Sequence, residues 1–200
     1  MKAEKRILSI YCKYIKRFLD MFFSVILILL LLPVMFFIGV AIKIDSAGSV
    51  IFKQKRMGKD GKVFICYKFR TMLQSKEADS LQAYDDDPRI TPLGRFLRVT
   101  SLDELPQFYN VLKGEMSIVG PRPHMLLHTE YYSNLIPNYN SRLSVLPGIT
   151  GWAQIHNLRG ETHNADKMRQ RVEHDLWYIR NWSMALDMRI MFRTIKIMLQ

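Results

Sequence analysis

Acidic side chains and cysteines are both scarce in this chain of 200 residues. Aspartate and glutamate together number 18 against 29 lysines and arginines, and the formal net charge is +11. Such a surplus favours anionic partners, namely nucleic acid, anionic lipid headgroups or phosphorylated small molecules. The two cysteines, Cys12 and Cys66, are far apart and form no Cys-x-x-Cys motif. They predict free thiols in a reducing compartment, which excludes a disulfide framework and a cysteine-based zinc site.

Charge is absent from one long stretch near the N-terminus. Residues 21–42 carry no charged side chain, and a helix of that length would reach about 33 Å, enough to cross a lipid bilayer. No small-residue cleavage pattern follows the stretch, so it is not predicted to be a cleavable signal. Pro33 lies in its middle, where it removes a backbone hydrogen bond and predicts a kink or a break.

Basic residues flank this apolar stretch on both sides. They include Lys13, Lys16 and Arg17 before it and Lys43, Lys53 and Lys55 after it. Because positively charged flanks stay on the cytoplasmic side of a membrane, both ends are expected in the cytoplasm. We therefore predict a re-entrant helix-break-helix that enters one leaflet and returns, with residues 1–48 as the membrane-anchoring unit. A single spanning helix with a tolerated proline is the alternative.

The rest of the chain predicts an α+β fold that is mainly helical, with a small globular cytoplasmic domain at residues 49–200. Strands are expected at 49–55 and 63–70, joined at Asp60-Gly61, which is typical of a tight hairpin turn. The polar stretch 73–89 contains the run Asp85-Asp86-Asp87, for which we predict a solvated turn. Helical periodicity favours residues 101–113, 124–133, 163–180 and 183–199.

The last predicted helix is amphipathic and basic. Its apolar stripe includes Met184, Met188 and Met191, while Arg189 and Arg193 line another side. A helix of this kind suits the plane of a membrane interface. The same stripe suits packing on the protein's own core. An interfacial amphipathic helix and an ordinary core helix therefore both remain open.

Two adjacent carboxylates, Asp103 and Glu104, stand among cations. Ser101 and Glu104 have the spacing of a capping box, which would explain both as helix-start residues and leave Asp103 free. A helix start also presents unpaired backbone N–H groups that suit a phosphate. Adjacent residues on a helix point about 100° apart, so one carboxylate can face a phosphorus atom while the other holds a divalent metal.

Arg122 stands between two prolines in the segment Gly120-Pro-Arg-Pro123. The prolines fix the backbone on both sides, which suits an arginine held for bidentate phosphate binding. A solvated polar turn is the alternative. His124 and His128 are four residues apart, but no third ligand stands at a diagnostic spacing, so ordinary hydrogen bonding is favoured over zinc.

Taken in order along nearly the whole chain, these segments closely resemble the bacterial sugar transferase family. Its members are monotopic phosphoglycosyl transferases that start glycan assembly on a polyprenyl phosphate. No single motif is decisive, but the ordered set is specific. The matching segments are the apolar stretch with its proline, YKFRTM at 67–72, TPLGRFLR at 91–98, SLDELPQ at 101–107, NVLKGEMS at 110–117, VGPRP at 119–123, PGITGW at 147–152 and WYIRNW at 177–182.

The resemblance implies a two-step transfer by a catalytic domain at residues 49–200, with Asp103 as the nucleophile. Asp103 would attack the sugar-bearing phosphorus of a UDP-sugar and release UMP, and polyprenyl (undecaprenyl) phosphate would then take the phosphosugar. Mg²⁺ is the expected cofactor, with Glu104 and Asp103 as its ligands. The expected phosphate-binding residues are Arg98 and Arg122, with Lys68 and Arg70 as weaker candidates.

The expected partners are a UDP-sugar, polyprenyl phosphate and membrane lipid at the bacterial inner membrane, with the catalytic domain facing the cytoplasm and no nucleic acid bound. Pro123-His124, His128 and the segment LRGET at 158–162 resemble the branch that begins exopolysaccharides from UDP-glucose. UDP-galactose or a UDP-N-acetylated sugar is the alternative. Two other classes stay open, a non-catalytic membrane-anchored adaptor and a phosphatase or phosphodiesterase that releases sugar phosphate to water. Glycan pathway, polyprenyl length and oligomeric state are left undetermined.

Overall fold

The computed structural model describes residues 2–73, 84, 87–160 and 165–198, with the backbone alone for residues 2–13. Helices dominate, as the sequence predicts. The elements are helices α1 (Lys2–Asp45), α2 (Pro92–Val99), α3 (Gln107–Lys113), α4 (Leu126–Leu135), α5 (Ala165–Asn181) and α6 (Met184–Met198), and strands β1 (Ile51–Met57), β2 (Val63–Phe69), β3 (Ser117–Val119) and β4 (Gly148–Thr150).

Strands β1 and β2 form the predicted antiparallel hairpin, with Ile51 opposite Phe69. A short 3-10 turn at Lys59–Gly61 joins them, and Asp60 (φ 54°) and Gly61 (φ 73°) take the left-handed conformation that Asp-Gly adopts readily. Phe64 and Cys66 of β2 point into the core, while Val63 and Ile65 beside them are exposed. Cys66 is a free, buried thiol.

Strands β3 and β4 pair in parallel, with Ser117 next to Gly148 and Val119 next to Thr150. Glycines make this contact close. A Cβ atom on Gly148 would lie 2.1 Å from the Gly120 nitrogen, and one on Gly151 would lie 2.2 Å from the Gly120 oxygen. The chain leaving β3 is therefore pressed directly against β4, and no larger side chain fits between them.

The core of the domain has two main parts. In the first, Val111 of α3 and Val119 of β3 pack with Leu186 and Ile190 of α6. The second lies between α4, the following 3-10 segment and α5. It consists of Tyr132, Ile136, Tyr139, Met168 and Val172. Between them these parts hold α3, β3 and α5 in fixed relation, and the chemically active side chains project from these elements and the loops beside them.

Helix α1 is continuous through Pro33, so the predicted break between two helices is wrong. A proline removes only one backbone hydrogen bond of a helix, and the leucine-rich residues on either side favour the helical state. The segment Tyr14–Asp45 is the one helix of the described chain that is long and apolar enough to cross a membrane, by length and composition. Its outward face is strongly apolar, since Phe36 and Phe37 are two-thirds or more exposed.

The first half of α1 is fixed to the domain by polar contacts. Arg17 donates to the carbonyls of Val111 (2.6 Å) and Leu112 (3.1 Å), which are among the last carbonyls of α3. Asp20 accepts from the Ser117 hydroxyl (2.7 Å) and from the Ile118 amide (3.1 Å) of β3. These contacts fix α1, just before its apolar segment, to α3 and β3, two elements that also build the core.

The second half of α1 packs on the same domain. Ile42 is buried together with Phe69, Leu97 and Leu105. The hydrophobic residues of α1 that pack against this cluster are Leu31, Met35 and Ile38. The domain therefore contacts α1 on both sides of Pro33.

Helix α6 divides its apolar residues between two environments. Leu186 and Ile190 are buried in the core, whereas Met188, Phe192 and Ile195 are exposed. The core interpretation thus holds for one face of the helix. The exposed apolar face is the part of α6 that would contact lipid if the helix lay at a membrane interface.

Asp87, the residue of the acidic run that the structure describes, is buried, whereas the sequence predicted a solvated turn. Asp87 is 1% exposed and binds Arg89 through its side chain, at 2.7 Å between Nη2 and Oδ2. Asp85 and Asp86 lie outside the described residues. Helix α2 follows with Thr91 as its N-cap, since the Thr91 hydroxyl accepts from the Gly94 amide at 2.9 Å. No periodicity predicted this short helix.

Candidate active site

The carboxylate pair sits in a tight turn and not at the start of the predicted helix 101–113. Ser101 is left-handed (φ 56°) and makes no capping bond, Leu102–Glu104 form a 3-10 turn, and α3 begins only at Gln107. The predicted capping box is therefore wrong. Pro106 explains the difference, because it has no N–H to continue an α-helical ladder from the pair into α3.

Asp103 is buried, with 7% of its surface exposed, and makes one long ion pair, 3.5 Å from Oδ2 to Nζ of Lys68. Burial raises the pKa of Asp103, while Lys68 acts to lower it and Glu104 to raise it. The Asp103 carboxylate is therefore poorly compensated when it is ionised. A group of this kind gains most from a reaction or a ligand that removes its negative charge.

Glu104 is more strongly bound than its neighbour. Its Oε1 accepts from Lys68 at 2.6 Å, and both of its oxygens accept from the guanidinium of Arg122, at 2.5 and 3.2 Å. Burial acts to raise the pKa of Glu104, but Arg122 and Lys68 outweigh it and hold the pKa well below its ordinary value. Glu104 is thus ionised and fixes both cations beside Asp103.

Arg122 is held from behind by its own backbone. Nη2 of Arg142 donates to the Arg122 carbonyl at 2.6 Å, and the same guanidinium forms a buried ion pair with Asp175 of α5 at 2.7 Å. The close contact of β3 with β4 fixes the chain just before Arg122. The structure therefore shows a positioned arginine and excludes the solvated turn.

The remaining predicted cations have different positions. Arg98 of α2 donates to the Thr71 hydroxyl at 2.9 Å, and Asp103 is the nearest acidic influence on its pKa, which burial lowers. Arg70 does not join the site. It donates to the carbonyls of Ile42 (3.2 Å), Ser46 (2.6 Å) and Ala47 (3.0 Å) and so caps the C-terminal end of α1. We therefore withdraw Arg70 as a phosphate-binding residue.

His124 makes the ordinary hydrogen bonds that the sequence favours. Its Nδ1 contacts the Tyr139 hydroxyl at 2.5 Å and accepts from Nη1 of Arg142 at 2.9 Å. Burial, followed by the charge of Arg142, lowers the pKa of His124 well below its ordinary value. The imidazole is therefore neutral and serves as an acceptor beneath the loop that carries Arg122.

Sequence reasoning missed three further arginines near the pair: Arg142, Arg159 and Arg171. Arg159 lies in the segment LRGET at 158–162, which carries part of the family resemblance. Its positive charge in that segment was a signal from which a phosphate-binding role could have been predicted. Arg171 falls in the polar periodicity of α5 and looks like a surface cation, although it is 4% exposed. No sequence signal distinguishes a buried helical arginine from an exposed one, because both follow the same spacing.

The charges at the site favour an anionic ligand with more than one negative charge. Lys68 and Arg122 form ion pairs with the two carboxylates, and Arg159 lies beside Ser101 of the same turn. Asp103 and Glu104 also act on the pKa values of Arg98 and Arg159, respectively. The described residues contain no group of three or more histidine, cysteine, aspartate or glutamate side chains that could hold a metal. Two hard carboxylates suit Mg²⁺, which commonly takes one or two protein carboxylates together with substrate phosphates.

A sequence model of the bacterial sugar transferases matches residues 11–200. The chain belongs to the bacterial sugar transferase family. Among related transferases, a UDP-glucose:undecaprenyl-phosphate glucose-1-phosphate transferase of Escherichia coli strain K12 is 51% identical over 184 residues, covering 92% of this chain and 40% of that protein. A UDP-N-acetylgalactosamine-undecaprenyl-phosphate N-acetylgalactosaminephosphotransferase of Aeromonas hydrophila is 45% identical over 187 residues, covering 93% and 44%.

A third transferase relative matches along almost its whole length. The exopolysaccharide production protein PSS of Rhizobium leguminosarum bv. phaseoli is 45% identical over 186 residues, covering 90% of this chain and 93% of that protein. The chain thus spans about two fifths of the first two relatives and nearly all of the third. Because each alignment covers at least 90% of this chain, all three include the segment that carries the carboxylate pair.

Proposed function

We propose that this chain is a phosphoglycosyl transferase that moves a sugar-1-phosphate from a UDP-sugar to undecaprenyl phosphate. The observation that carries the proposal is the contrast within the carboxylate pair. Asp103 is buried, weakly paired and next to several cations, whereas Glu104 is fully engaged by Lys68 and Arg122. One carboxylate is thus free to react while the other holds the cations that would bind the phosphates.

In the first step, an oxygen of Asp103 attacks the phosphorus that carries the sugar. A new P–O bond forms to Asp103, the P–O bond to UMP breaks, and its electron pair leaves with the UMP oxygen. Arg122 is positioned to stabilise charge on the phosphoryl oxygens, because its guanidinium and its carbonyl are both held. Lys68 lies close enough to Asp103 to keep it ionised for the attack.

In the second step, an oxygen of undecaprenyl phosphate attacks the same phosphorus. The bond to Asp103 breaks, the aspartate carboxylate is restored, and the product is an undecaprenyl diphosphosugar. No proton transfer is needed in either step, since both nucleophiles attack as anions. A mechanism without proton transfer agrees with a site that is rich in arginine and has, in the described chain, no ionisable histidine beside Asp103.

We also propose Mg²⁺ as the cofactor, held by Asp103 and Glu104 together with phosphate oxygens of the substrate. A bound Mg²⁺ would neutralise charge on the diphosphate. Glu104 already accepts from two cations through both oxygens. Asp103 is therefore the carboxylate with more free coordination capacity.

The preferred sugar of the proposal is glucose, and surface-polysaccharide assembly is the proposed process. The E. coli relative is named for UDP-glucose and the Rhizobium relative for exopolysaccharide production. The Aeromonas relative is named for UDP-N-acetylgalactosamine. UMP release from a panel of UDP-sugars by the purified protein would identify the sugar directly.

We further propose that the chain is monotopic at the inner membrane, with its catalytic domain in the cytoplasm and with α1 kinked at Pro33, without a break in the helix, so that it re-enters the leaflet it left. Contacts on both sides of Pro33 support this topology, since Arg17 and Ile42 both bind the same domain. A helix that crossed the bilayer perpendicularly would carry one of these contacts to the far side. The exposed apolar face of α6 would then lie in the same membrane surface.

The transfer is tested by trapping the covalent intermediate. UDP-glucose labelled on the sugar-bearing phosphate should leave label on the denatured wild-type protein and on Asp60→Asn, an exposed control. Asp103→Asn should carry none, because an amide oxygen is a poor nucleophile.

Normal labelling of Asp103→Asn would sink the assignment of the nucleophile. Wild-type protein that converts the label to free sugar phosphate in water would instead be a phosphatase or phosphodiesterase. Absence of label and of lipid-linked product with every UDP-sugar and with Mg²⁺ present would favour a non-catalytic adaptor.

A further inference from the structure

Arg171 of α5 is a buried cation that forms no ion pair among the described residues, although Asp175, one turn further along α5, acts to raise its pKa. Its side chain is 4% exposed, and the hydrogen bond it makes runs from Nη2 to the Gly160 carbonyl at 3.2 Å. Its Nε is buried without an acceptor. Burial lowers the pKa of Arg171 to about 10, and Arg122 contributes in the same direction. Arg171 therefore lies against Gly160, the residue after Arg159, with donor capacity unused.

Arg159 is in a similar state on the other side of Gly160. Its Nε is also buried without an acceptor, and its Nη1 is 3.5 Å from the Ser101 hydroxyl, at the outer limit of a hydrogen bond. After burial, Arg122 and Glu104 are the groups that influence its pKa, which is lowered. Arg159 thus lies beside the turn that carries Asp103.

Arg142 provides an internal comparison, because it is equally buried and structural. Its Nε and Nη2 donate to Asp175 at 3.0 and 2.7 Å, and its Nη1 donates to His124 at 2.9 Å. No donor nitrogen of Arg142 is left unused. An unpaired charge is costly to bury, and groups of this kind persist where a ligand of opposite charge completes them. Arg159 and Arg171 meet that description and Arg142 does not. The Nε of Arg70 is also without an acceptor, but three backbone carbonyls accept from its other two nitrogens.

The position of Arg171 indicates which phosphate it would meet. Met168 and Val172, its neighbours on α5, pack in the second core cluster, to which α1 contributes no residue. Arg98 lies next to Leu97, which packs against Ile42 of α1. A lipid phosphate arriving along α1 would therefore reach the side of Arg98 first, and the side of Arg171 is left for the nucleotide.

We propose that Arg159 and Arg171 form a second anion subsite, which binds the uridine-linked phosphate of the nucleotide sugar. The proposal rests on the transferase activity proposed above and adds the residues that hold the leaving group. Two guanidinium groups present planar forks of donors that match phosphate oxygens. They would stabilise the charge that develops on UMP as its bond to the sugar phosphate breaks.

Binding of UMP, measured by calorimetry and by the shift of the thermal unfolding midpoint, tests the subsite without any turnover. Arg171→Met and Arg159→Met should each weaken UMP binding by about 10- to 100-fold, as expected for loss of a charge-assisted contact. Arg169→Met is the matched control on α5, because Arg169 is exposed and pairs only with Asp166 in the described chain. It should bind UMP as the wild type does.

Thermal unfolding without ligand separates a ligand-binding role from a structural one. Arg171→Met should unfold at the same temperature as the wild type or higher, since it removes an unpaired buried charge. Arg142→Met should unfold at a lower temperature, because it leaves Asp175 buried and unpaired. If Arg171→Met does not fold, Arg171 is structural, and Arg159→Met then decides the subsite through its UMP affinity.

A short-chain polyprenyl phosphate in detergent micelles provides the second arm. Its binding should be unchanged in Arg159→Met and Arg171→Met. Loss of lipid-phosphate binding with UMP binding intact would overturn the proposal, as would unchanged UMP binding in both variants or no UMP binding by the wild type. A wild-type protein that binds UMP through these arginines but forms no covalent intermediate would refute the transferase activity and leave the subsite standing.

Discussion

Asp103 and Glu104 are neighbours in the chain, yet their surroundings give them opposite electrostatic characters. Burial raises the pKa of Asp103, which has one distant cation partner. Glu104 is equally enclosed, but Arg122 and Lys68 bind it directly and keep its pKa low. In the proposed mechanism the pair divides its work, since Asp103 would react while Glu104 binds the cations.

The electrostatics predict a shift in the pH dependence of the first step when Lys68 is replaced by methionine. Asp103 attacks only when ionised, so the rate falls as the pH drops through its raised pKa. Lys68 acts to lower that pKa. Removing the lysine should therefore move the acid limb of the pH profile to higher pH, beyond any loss in maximal rate. Initial rates of UMP release measured across the acid range check this.

Lys62→Met is the control for this shift, because Lys62 is an exposed lysine at the end of the hairpin turn. Its acid limb should coincide with that of the wild type. An acid limb of Lys68→Met at the wild-type pH, or below it, would contradict the electrostatic role given to Lys68.

At this scale, residue type and order predicted Asp103, Glu104, Arg98, Arg122 and Lys68, and the structure places all five close together. Arg70 failed for a local reason. It would share a face with Lys68 if β2 continued, but β2 ends at Phe69 and the Arg70 guanidinium binds the end of α1. The sequence could not show this, because the capped carbonyls come from a distant segment.

Among the elements, the short parallel pair β3 and β4 has an effect out of proportion to its length. The approach of Gly148 and Gly151 to Gly120 allows the two strands to touch. The segment that follows Gly120 carries Arg122. The direction of the Arg122 side chain is therefore set by the backbone packing of Gly120, two residues earlier, against β4.

Gly148→Ala tests this coupling. The added Cβ would lie 2.1 Å from the Gly120 nitrogen, so the strands must separate. The free energy of unfolding should fall by about 1–3 kcal/mol. Formation of the covalent intermediate should fall by about 100-fold, because Arg122 moves with its loop. Chemical denaturation and intermediate labelling measure the two effects.

Gly39→Ala on α1 is the matched control, since its Cβ would make only an ordinary 3.5 Å contact with Val50. Stability and labelling should both be kept. Full labelling of Gly148→Ala in the folded state would show that Arg122 does not depend on the contact between the strands.

Local patterns predicted the elements that have strong local signals. The β1–β2 hairpin and helices α4, α5 and α6 were predicted to within a few residues. The pairing of β3 with β4 was missed, because each strand has three residues and the contact joins segments some thirty positions apart. The predicted single helix 101–113 is a 3-10 turn followed by α3, because Pro106 interrupts the helical hydrogen bonding between them.

For the whole molecule, the decisive relation is between α1 and the domain. Hydropathy predicted the membrane segment and its length, and charge predicted the side on which its ends lie. Neither could show that Arg17 and Ile42 contact one and the same domain, since both contacts depend on tertiary folding. The continuous helix through Pro33 agrees with the alternative prediction of a tolerated proline, because a proline sets a local preference that packing can override.

The proposed topology predicts that both ends of the apolar segment react only from the cytoplasm. Single cysteines at Tyr14 and at Ser49, in a chain with Cys12 and Cys66 replaced by serine, should be labelled by a membrane-impermeant maleimide in inverted vesicles. Neither should be labelled in intact spheroplasts. Leu30→Cys is the control within the apolar segment, and it should resist the reagent in both preparations. Labelling at Tyr14 from the periplasmic side would establish a spanning helix.

Arg70 was set aside as a ligand for phosphate, but its position has a consequence for the lipid substrate. It binds the last carbonyls of α1, and Lys68, two residues earlier, binds both carboxylates. Two residues of extended chain measure about 7 Å. If the proposed function holds, this short stretch of chain and the ion pairs of Lys68 would fix the height of Asp103 above the lipid, so that each arriving headgroup would meet the phosphorus at the same depth.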